Sequence, residues 1–220
     1  PTANGFVLSP GPASPFPDAN DYNFGGSGSL SVSSPTAYAY DPNAGIDHLP
    51  KGEFVTLLKF DPNLCAGTTL SQMTLELAIT NGNQSAMDIF NYLGGPGDFD
   101  LYWIDNNWQQ GYGTPKIQAS SEIGVTYTTL QTLLEQTNPV YLETLNYNAL
   151  YTYAEGENWF TYELNLENDN YAGLLNAIQD GQTTTFMLRA SEESSVCFNL
   201  RAYIQKDRKS TRLNSSHVSQ

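Results

Sequence analysis

Residues Phe160–Leu166 read FTYELNL, and no other stretch of the chain alternates apolar and polar side chains so cleanly. Successive side chains of a β-strand point to opposite faces of the sheet. The alternation therefore predicts a strand whose F, Y, L and L side chains face a core, while T, E and N face away from it.

Further strand-like stretches lie on both sides of this segment, with turn residues between them. The most apolar is Glu53–Asp61 (EFVTLLKFD), which carries large apolar residues on both faces and predicts a central strand. The last two stretches flank Glu192-Glu193 and are predicted to pair as a hairpin. The other predicted strands are Leu30–Ser34, Gln72–Thr80, Phe99–Ile104, Val140–Asn148, Thr183–Ala190 and Ser195–Tyr203.

Two short segments, Thr128–Gln136 and Asp169–Gln179, carry helical periodicity instead. Many short strands with few helices favour a sandwich or a barrel. The sequence therefore predicts an all-β fold, a β-sandwich or a barrel with one or two short helices.

The body of this fold is predicted to span residues 30–204, preceded by an extended arm, residues 1–29. Prolines at positions 10, 12, 15 and 17 exclude a central strand or helix from most of the arm. Only residues 5–9 (GFVLS) read as a short strand, with Phe6, Val7 and Leu8 as its apolar residues. We expect the arm to lie outside the core and to offer this strand as a donor, to its own sheet or to that of a neighbour.

The chain changes character after Tyr203. Lys209–Ser219 (KSTRLNSSHVS) has no aromatic residue and no alternation, and it resembles a translated sequencing adaptor. Residues 205–220 are therefore predicted to be non-native, and the alternative is a genuine basic tail.

The charge balance limits the classes of partner that we expect. The formal net charge is −14, and residues 1–205 hold five basic against twenty-two acidic side chains. Such a surface repels phosphate backbones, so nucleic acid is excluded as an expected partner, whereas cations or neutral glycans would suit it. No apolar run in the sequence is long enough for a membrane span. The Thr-, Ser-, Asn- and Tyr-rich composition, with Pro1–Asn4 reading as an end left by signal-peptide removal, predicts a secreted, extracellular protein.

Several motifs together resemble the DNRLRE-like jelly-roll domains of secreted bacterial proteins, including those with a PEP-CTERM sorting tail. Two departures are Gln109, where such domains usually carry an acidic residue, and the segment after Tyr203, where a final strand and sorting tail are expected. The resemblance implies a jelly-roll sandwich, an extracellular location and non-catalytic work in a surface structure or in glycan binding. The motifs are Asn23–Val32 (NFGGSGSLSV), Leu57–Asp61 (LLKFD), Thr69–Leu77 (TLSQMTLEL), Phe99–Ile104 (FDLYWI), Trp108–Pro115 (WQQGYGTP) and Gly124–Tyr127 (GVTY).

No set of catalytic residues can be assembled from the sequence, and we predict that the protein is not an enzyme. His48 is the one histidine before the suspect tail, and it lies in a loop without a predicted base partner. Three carboxylate pairs lie in loops or at strand starts, whereas a glycosidase holds its two carboxyls across a cleft. The pairs are Asp98/Asp100, Glu155/Glu157 and Glu192/Glu193.

No cofactor is predicted, with one candidate exception, a structural calcium ion. Asp18, Asn20 and Asp21 cluster in one irregular segment and offer the oxygen ligands that calcium accepts. The alternative is ordinary turn chemistry, in which these side chains bond to the local backbone.

Two covalent features are also candidates. Cys65 and Cys197 are the only cysteines, so they either form a disulfide or are two buried small hydrophobic residues. Asn83 begins the glycosylation sequon NQS in a predicted turn.

Exposed aromatic side chains could hold a glycan by stacking on its sugar rings. Trp108 and Tyr112 have the most loop-like context, and Trp159 completes the predicted platform. The alternative for each is core or cross-strand packing. The other candidates are Tyr102, Tyr151 and Tyr153.

The arm motivates the first hypothesis for function, a self-assembling surface or fibril subunit. Phe6, Val7 and Leu8 of one copy would complete the sheet of the next, so that the partner is a second copy of the chain. The alternative is a carbohydrate-binding module, favoured by the resemblance and by the aromatic residues.

Overall fold

The computed structural model describes residues 1–12, 14, 16–37, 52–61, 65–80, 96–114, 124–148, 157–201 and 212–214. Among these residues, no helix is both long and apolar enough to cross a membrane. The strands are β1 (Ala3–Pro10), β2 (Ser29–Ser33), β3 (Gly52–Phe60), β4 (Thr74–Thr80), β5 (Gly97–Ile104), β6 (Val140–Tyr147), β7 (Glu157–Glu163), β8 (Thr184–Ala190), β9 (Cys197–Arg201) and β10 (Arg212–Asn214). The α-helices are α1 (Tyr127–Gln136) and α2 (Ala172–Gln179), the second preceded by a 3-10 turn at Asp169–Tyr171.

The strands pair antiparallel and form two layers. One layer has the order β2-β9-β4-β7, and the other has the order β3-β8-β5-β6. Two packed sheets with this strand order are the jelly-roll arrangement. A single pair, Ser33 opposite Phe54, joins β2 to β3 and makes the two layers one continuous sheet. The prediction of an all-β jelly-roll sandwich is confirmed.

The main core lies between the two layers. The alternation of FTYELNL turns Phe160 and Tyr162 of β7 toward it, as predicted. Aromatic edges then join the layers, because the ring of Phe99 on β5 lies 5.6 Å from that of Tyr162 and 5.2 Å from that of Phe198 on β9. Aromatic pairs in this edge-to-face geometry stabilise a core beyond the area that they bury.

The N-terminal strand belongs to the β3 layer. β1 pairs along its whole length with β3 of the same chain, with Phe6 opposite Thr56. The prediction that residues 1–29 form an arm outside the core is therefore wrong for residues 3–10, and it is also wrong for Ala19 and Phe24, which are buried in the main core. β1 is an additional edge strand beside the four jelly-roll strands of its layer.

Burial of its apolar side chains explains why β1 stays with the sheet. Phe6, Val7 and Leu8 are each at most 1% exposed. Phe6 also stacks on Phe24, with 4.7 Å between the ring centroids and 9° between the ring planes. Three buried side chains of this size stabilise the docked strand by about 5–9 kcal/mol in transfer free energy alone.

A second, smaller core lies on the outer face of the β3 layer, where α1 and Trp108 cover it. α1 begins at its cap, Thr126, whose hydroxyl accepts a hydrogen bond from the Thr129 amide at 3.2 Å. This second core explains why β3 is apolar on both faces. The sheet residues that α1 and Trp108 cover are Val7, Val55, Leu57, Ile104 and Met187.

The predicted hairpin around Glu192-Glu193 is wrong. β8 pairs with β3 and β5, whereas β9 pairs with β2 and β4. The reason is the jelly-roll order, which places β8 and β9 in different layers although a short turn connects them.

The predicted disulfide does not form, since Cys65 and Cys197 are not bonded to each other. Cys65 lies beside the C-terminal end of α2, where the Gly67 amide donates to the Gln179 carbonyl at 2.7 Å, close to the start of β8. Cys197 follows the turn at the other end of β8. A strand of that length spans about 20 Å, far beyond the reach of a disulfide.

Three residues of the segment predicted to be non-native, β10, pair with β4. Leu213 lies opposite Leu75. The remainder of residues 205–220 lies outside the described residues, and the non-native origin of this segment stays a prediction.

Candidate functional site

The outer face of the β3 layer is divided in two. α1 and Trp108 cover the half over β1 and β3, whereas the half over β5 and β6 carries polar and aromatic side chains that reach solvent. We call this second half the outer patch. It consists of Asp98, Asp100 and Tyr102 of β5, Tyr141, Thr144 and Asn146 of β6, and Arg189 of β8.

Strand register arranges the outer patch in rows. Arg189, Asp100 and Thr144 lie opposite one another on three neighbouring strands, and a row across three strands is about 10 Å wide. Tyr102 and Tyr141 form the next row. A β-bulge between these rows adds one residue to β6, so that both Tyr141 and Thr144 reach the outer face.

The two tyrosines form the aromatic part of the patch. Their ring centroids are 5.6 Å apart in an edge-to-face arrangement. Tyr102 packs against the second core, whereas Tyr141 is 41% exposed and offers its ring to solvent. Burial, and then the negative charge of Asp100, raise the pKa of Tyr102, so its hydroxyl stays protonated at neutral pH.

Asp100 is held by hydroxyl groups. Its Oδ1 accepts hydrogen bonds from Thr144 Oγ1 at 2.7 Å and from Ser191 Oγ at 2.6 Å. The Thr144 hydroxyl is in turn 2.8 Å from the hydroxyl of Tyr141. The hydroxyl of Tyr102 hydrogen-bonds to the same carboxylate. A carboxylate has about four acceptor positions, so Tyr102, Thr144 and Ser191 leave one of them for a ligand.

Arg189 is held by a buried carboxylate. Its Nε donates to Glu53 Oε1 at 2.6 Å, and the Tyr127 hydroxyl donates to Glu53 Oε2, also at 2.6 Å. Burial, and then the bond to Glu53, raise the pKa of Tyr127 to about 12. Within the described part of the chain the terminal guanidinium nitrogens of Arg189 make no hydrogen bond, so they are available as donors.

Asp98 and Asn146 complete the patch at its far end. The Asn146 amide nitrogen donates to Asp98 Oδ1 at 2.6 Å, across the β5–β6 pair. The patch thus combines an exposed ring, an open pair of donors and carboxylates with acceptor positions left over on a rigid sheet face. Such a surface can hold a polar, ring-shaped ligand without any metal or cofactor.

Trp108 does not belong to a ligand platform, and that prediction is wrong. The side chain is only 7% exposed, and its Nε1 donates to Thr185 Oγ1 at 3.0 Å. The Lys59 ammonium lies 4.5 Å from the centre of the ring and donates to the Trp108 carbonyl at 2.8 Å. Trp108 is therefore a structural residue that closes one end of the second core.

Tyr112 and Trp159 are exposed, at 54% and 42%, but the structure does not bring them together. Tyr112 lies in the loop after β5, where the neighbouring Gly113 carbonyl accepts from the Gly26 amide at 2.9 Å. Trp159 is on β7, opposite Ala78 of β4, and it lies on the outer face of the other layer. Neither contacts the outer patch, and a sugar-binding role for each stays a prediction.

The segment that holds the candidate calcium ligands contacts the first turn of α1. Asp21 Oδ1 accepts a hydrogen bond from Thr128 Oγ1 at 2.8 Å, which ties this segment to the helix. Asn20 Oδ1 is buried and accepts no hydrogen bond from any described residue. No group of three or more His, Cys, Asp or Glu side chains able to hold a metal occurs among the described residues, and a calcium site at Asp18, Asn20 and Asp21 stays a prediction.

Several predicted sites lie outside the described residues: His48, the sequon at Asn83, Glu155, and the candidate platform residues Tyr151 and Tyr153. Of the remaining carboxylate pairs, Asp98 and Asp100 lie on the outer patch, and Glu192 and Glu193 lie in the exposed turn after β8.

Tyr141, Thr144, Asn146 and Arg189 are the patch residues that sequence reasoning missed. Strict alternation places Tyr141 on the same face as Leu145 and Tyr147, which are buried, and only the β-bulge in β6 turns it outward. Tyr141 and Arg189 lie beside Tyr102 and Asp100 because of the strand register, and this register cannot be read from the sequence.

A scan against protein-family models finds no family that matches this chain, and a search of curated proteins finds no relative. The resemblance to DNRLRE-like domains therefore stays a prediction, and function has to be argued from the outer patch itself.

Proposed function

We propose that the protein is a carbohydrate-binding domain and that the outer patch is its binding face. The observation that carries this proposal is the exposed ring of Tyr141 beside two opposed residues, Asp100 and Arg189, that keep open hydrogen-bonding positions. A sugar ring has an apolar C–H face and a rim of hydroxyls, so it needs both kinds of contact at once.

The aromatic part of the patch suits the face of a sugar ring. Tyr141 has few rotatable bonds, and Tyr102 supports its ring from the edge at 5.6 Å. A tyrosine that is already orientated loses little conformational entropy on binding. A ring on a sheet face is also held more firmly than one in a loop, which favours Tyr141 over Tyr112.

The polar part of the patch suits the hydroxyl rim. Each sugar hydroxyl can donate one hydrogen bond and accept others. The Asp100 carboxylate keeps one acceptor position and the terminal nitrogens of Arg189 offer donors, from positions directly opposite each other on β5 and β8. Two neighbouring hydroxyls of one sugar could thus be bound together, one by each residue.

We propose binding without hydrolysis. A glycosidase needs one carboxyl group as acid and a second as base or nucleophile. Both oxygens of Glu53, the carboxylate beneath the patch, already accept hydrogen bonds from Arg189 and Tyr127. This occupation favours a structural task for Glu53.

The test compares two exposed tyrosines. The purified chain is run in native gels containing soluble polysaccharides, and those that retard it are titrated by calorimetry. Tyr141→Ala is expected to weaken binding about tenfold or more, because truncation removes a central aromatic contact. Tyr112→Ala, the matched control in the loop, is expected to leave affinity within about twofold. Equal losses for both variants, or no retardation by any polysaccharide, would contradict the proposal.

Assembly through β1 is the second candidate. β1 is an edge strand joined to the body by a proline-rich segment, and its contacts with β3 could form equally well with β3 of another copy. Exchange of such a strand from copy to copy yields open polymers. A surface or fibril subunit of this kind, like a glycan-binding domain, fits the extracellular location that we propose from composition.

A cross-link between β1 and β3 separates the two pairings. Val7 and Val55 lie directly opposite each other, within the usual reach of a disulfide. We expect a Val7→Cys/Val55→Cys chain, with Cys65 and Cys197 replaced by alanine, to form filaments in negative-stain electron microscopy only while it is reduced. Isolated particles in both redox states would remove the assembly candidate and leave glycan binding.

A further inference from the structure

The outer patch carries two carboxylates, Asp98 and Asp100, and one guanidinium, Arg189. Among the residues whose side chains the structure describes, the only basic ones are Lys59 and Arg189. Lys59 lies away from the patch, where its ammonium donates to the carbonyls of Asn106 and Trp108, each at 2.8 Å. Arg189 is therefore the one described cation on this face.

Glu53 compensates the charge of Arg189. The guanidinium is bound at 2.6 Å by a carboxylate that is only 8% exposed at its side chain, whereas the Arg189 side chain is 38% exposed, so solvent screens the pair in part. Asp98 and Asp100 form no ion pair with the described residues, since the side chains that hydrogen-bond to their carboxylates are the uncharged Asn146, Thr144, Ser191 and Tyr102. The patch as a whole is therefore negative, although it carries an arginine.

We infer that the outer patch takes neutral polysaccharides and rejects acidic ones, and that Glu53 is the residue that sets this selectivity. The inference rests on the proposed function and deepens it by naming the class of glycan. Arg189 acts as a hydrogen-bond donor to sugar hydroxyls, and Glu53 prevents it from acting as an anion site.

The geometry explains why Glu53 has this effect although it touches no ligand in the proposed mode. Its Oε1 accepts the hydrogen bond from the Nε of Arg189, which holds the guanidinium and leaves the terminal nitrogens as donors, while its charge cancels that of the guanidinium. A uronate carboxylate approaching Arg189 would meet Glu53 behind it and Asp100 opposite it on β5. Like charges at such short range are repelled strongly when solvent is partly excluded.

The experiment uses the full chain and two sets of probes. Neutral probes are xylan, mannan and mixed-linkage β-glucan, and acidic probes are polygalacturonate and alginate. The wild-type chain is expected to bind at least one neutral probe and to bind both acidic probes at least about tenfold more weakly at low salt.

Glu53→Gln then removes one charge while keeping the size and hydrogen-bonding shape of the side chain. It is expected to strengthen binding to the acidic probes about tenfold at low salt, with the gain falling as salt is added, and to change neutral binding by less than about threefold. Glu163→Gln, an exposed position on β7 in the other layer, removes the same net charge and is expected to change neither.

The outcomes are distinguishable. Wild-type binding to acidic probes as strong as to neutral ones would overturn the inference and leave carbohydrate binding standing, and it needs no variant to be folded. Equal gains in Glu53→Gln and Glu163→Gln would assign the selectivity to overall charge and overturn the role of Glu53. Failure to bind any probe would remove the proposed function together with the inference.

Discussion

At the edge of β1, the segment around Gly25 crosses the segment around Gln110, and the absence of a side chain at Gly25 makes room for the crossing. A Cβ placed on Gly25 would fall inside the carbonyl oxygen of Gln110. The Gln110 side chain then bridges the crossing, since its Nε2 donates to the Gly25 carbonyl at 2.7 Å and its Oε1 accepts from the Asn4 amide at 3.1 Å. The outer edge of β1 is thereby covered, which protects it from pairing with other chains.

This crossing makes Gly25→Ala a destabilising substitution. The backbone of Gln110 would have to move, and overpacking of this kind costs about 1–3 kcal/mol or more. Gly28→Ala is the matched control, because a Cβ there meets nothing within 4 Å, and its effect is expected to stay below about 1 kcal/mol. Urea unfolding of both variants gives the comparison, and equal stabilities would contradict the crossing.

Glycines and aromatic residues also show what single residues reveal before a structure is known. Gly25 lies in the motif NFGGSGSLSV and is required there for the close approach of another segment, and not for a left-handed conformation. Trp108 looked exposed because its neighbours are polar, yet Thr185 and Lys59 lie beneath it. Both partners are distant in sequence, so no local pattern could have shown them.

At the scale of elements, hydrophobic period was a reliable guide to which strands and helices exist. α1 and α2 lie where their periodicity placed them. β7 ends three residues earlier than the alternation of FTYELNL suggested, at Glu163, although Leu164 is still buried. The backbone amide of Leu164 donates to the Met73 carbonyl at 2.9 Å, so the chain stays against the core after the regular strand pairing of β7 has ended. The alternating pattern identifies buried residues, and buried residues continue beyond the end of the strand.

The attachment of α1 to the sheet through Tyr127 and Glu53 predicts a dependence on pH. The folded state raises the pKa of Tyr127 to about 12 from an ordinary value near 10, so it binds the hydroxyl proton more tightly than the unfolded chain does. The contribution of this group to the free energy of unfolding is complete below about pH 10 and is lost as pH rises through about 12. Other buried tyrosines add to the same loss.

A comparison of variants isolates the Tyr127 contribution. Tyr127→Phe is expected to be less stable than the wild type at pH 8, because Glu53 loses a donor, and to lose less stability than the wild type between about pH 10 and pH 12. Tyr112→Phe in the exposed loop serves as the control and is expected to follow the wild type. Thermal unfolding across this range checks both statements, and parallel curves for Tyr127→Phe and the wild type would contradict them.

At the scale of the whole molecule, fold class could be predicted and the site could not. Alternating strands with few helices predict a sandwich or a barrel, and the motifs that resemble DNRLRE-like domains add the jelly-roll order. The outer patch depends on a further fact, namely that Tyr102 meets Tyr141 and that Asp100 meets Arg189 across the sheet. Register of this kind follows from the pairing of distant strands, and a shift of one residue would turn each of these side chains to the other face.

The same topology determines what holds the molecule together. A disulfide between Cys65 and Cys197 would close a long loop and stabilise the fold by about 4–5 kcal/mol in the chain-entropy model. The two residues lie toward opposite ends of β8, so the fold must rely on its two apolar cores. We therefore expect the urea midpoint to be the same with and without reductant, and thiol titration of the unfolded monomer to give two thiols for each chain. A lower midpoint in reductant, or one thiol or none, would mean that the cysteines pair and that the register at the end of β8 differs from the one described.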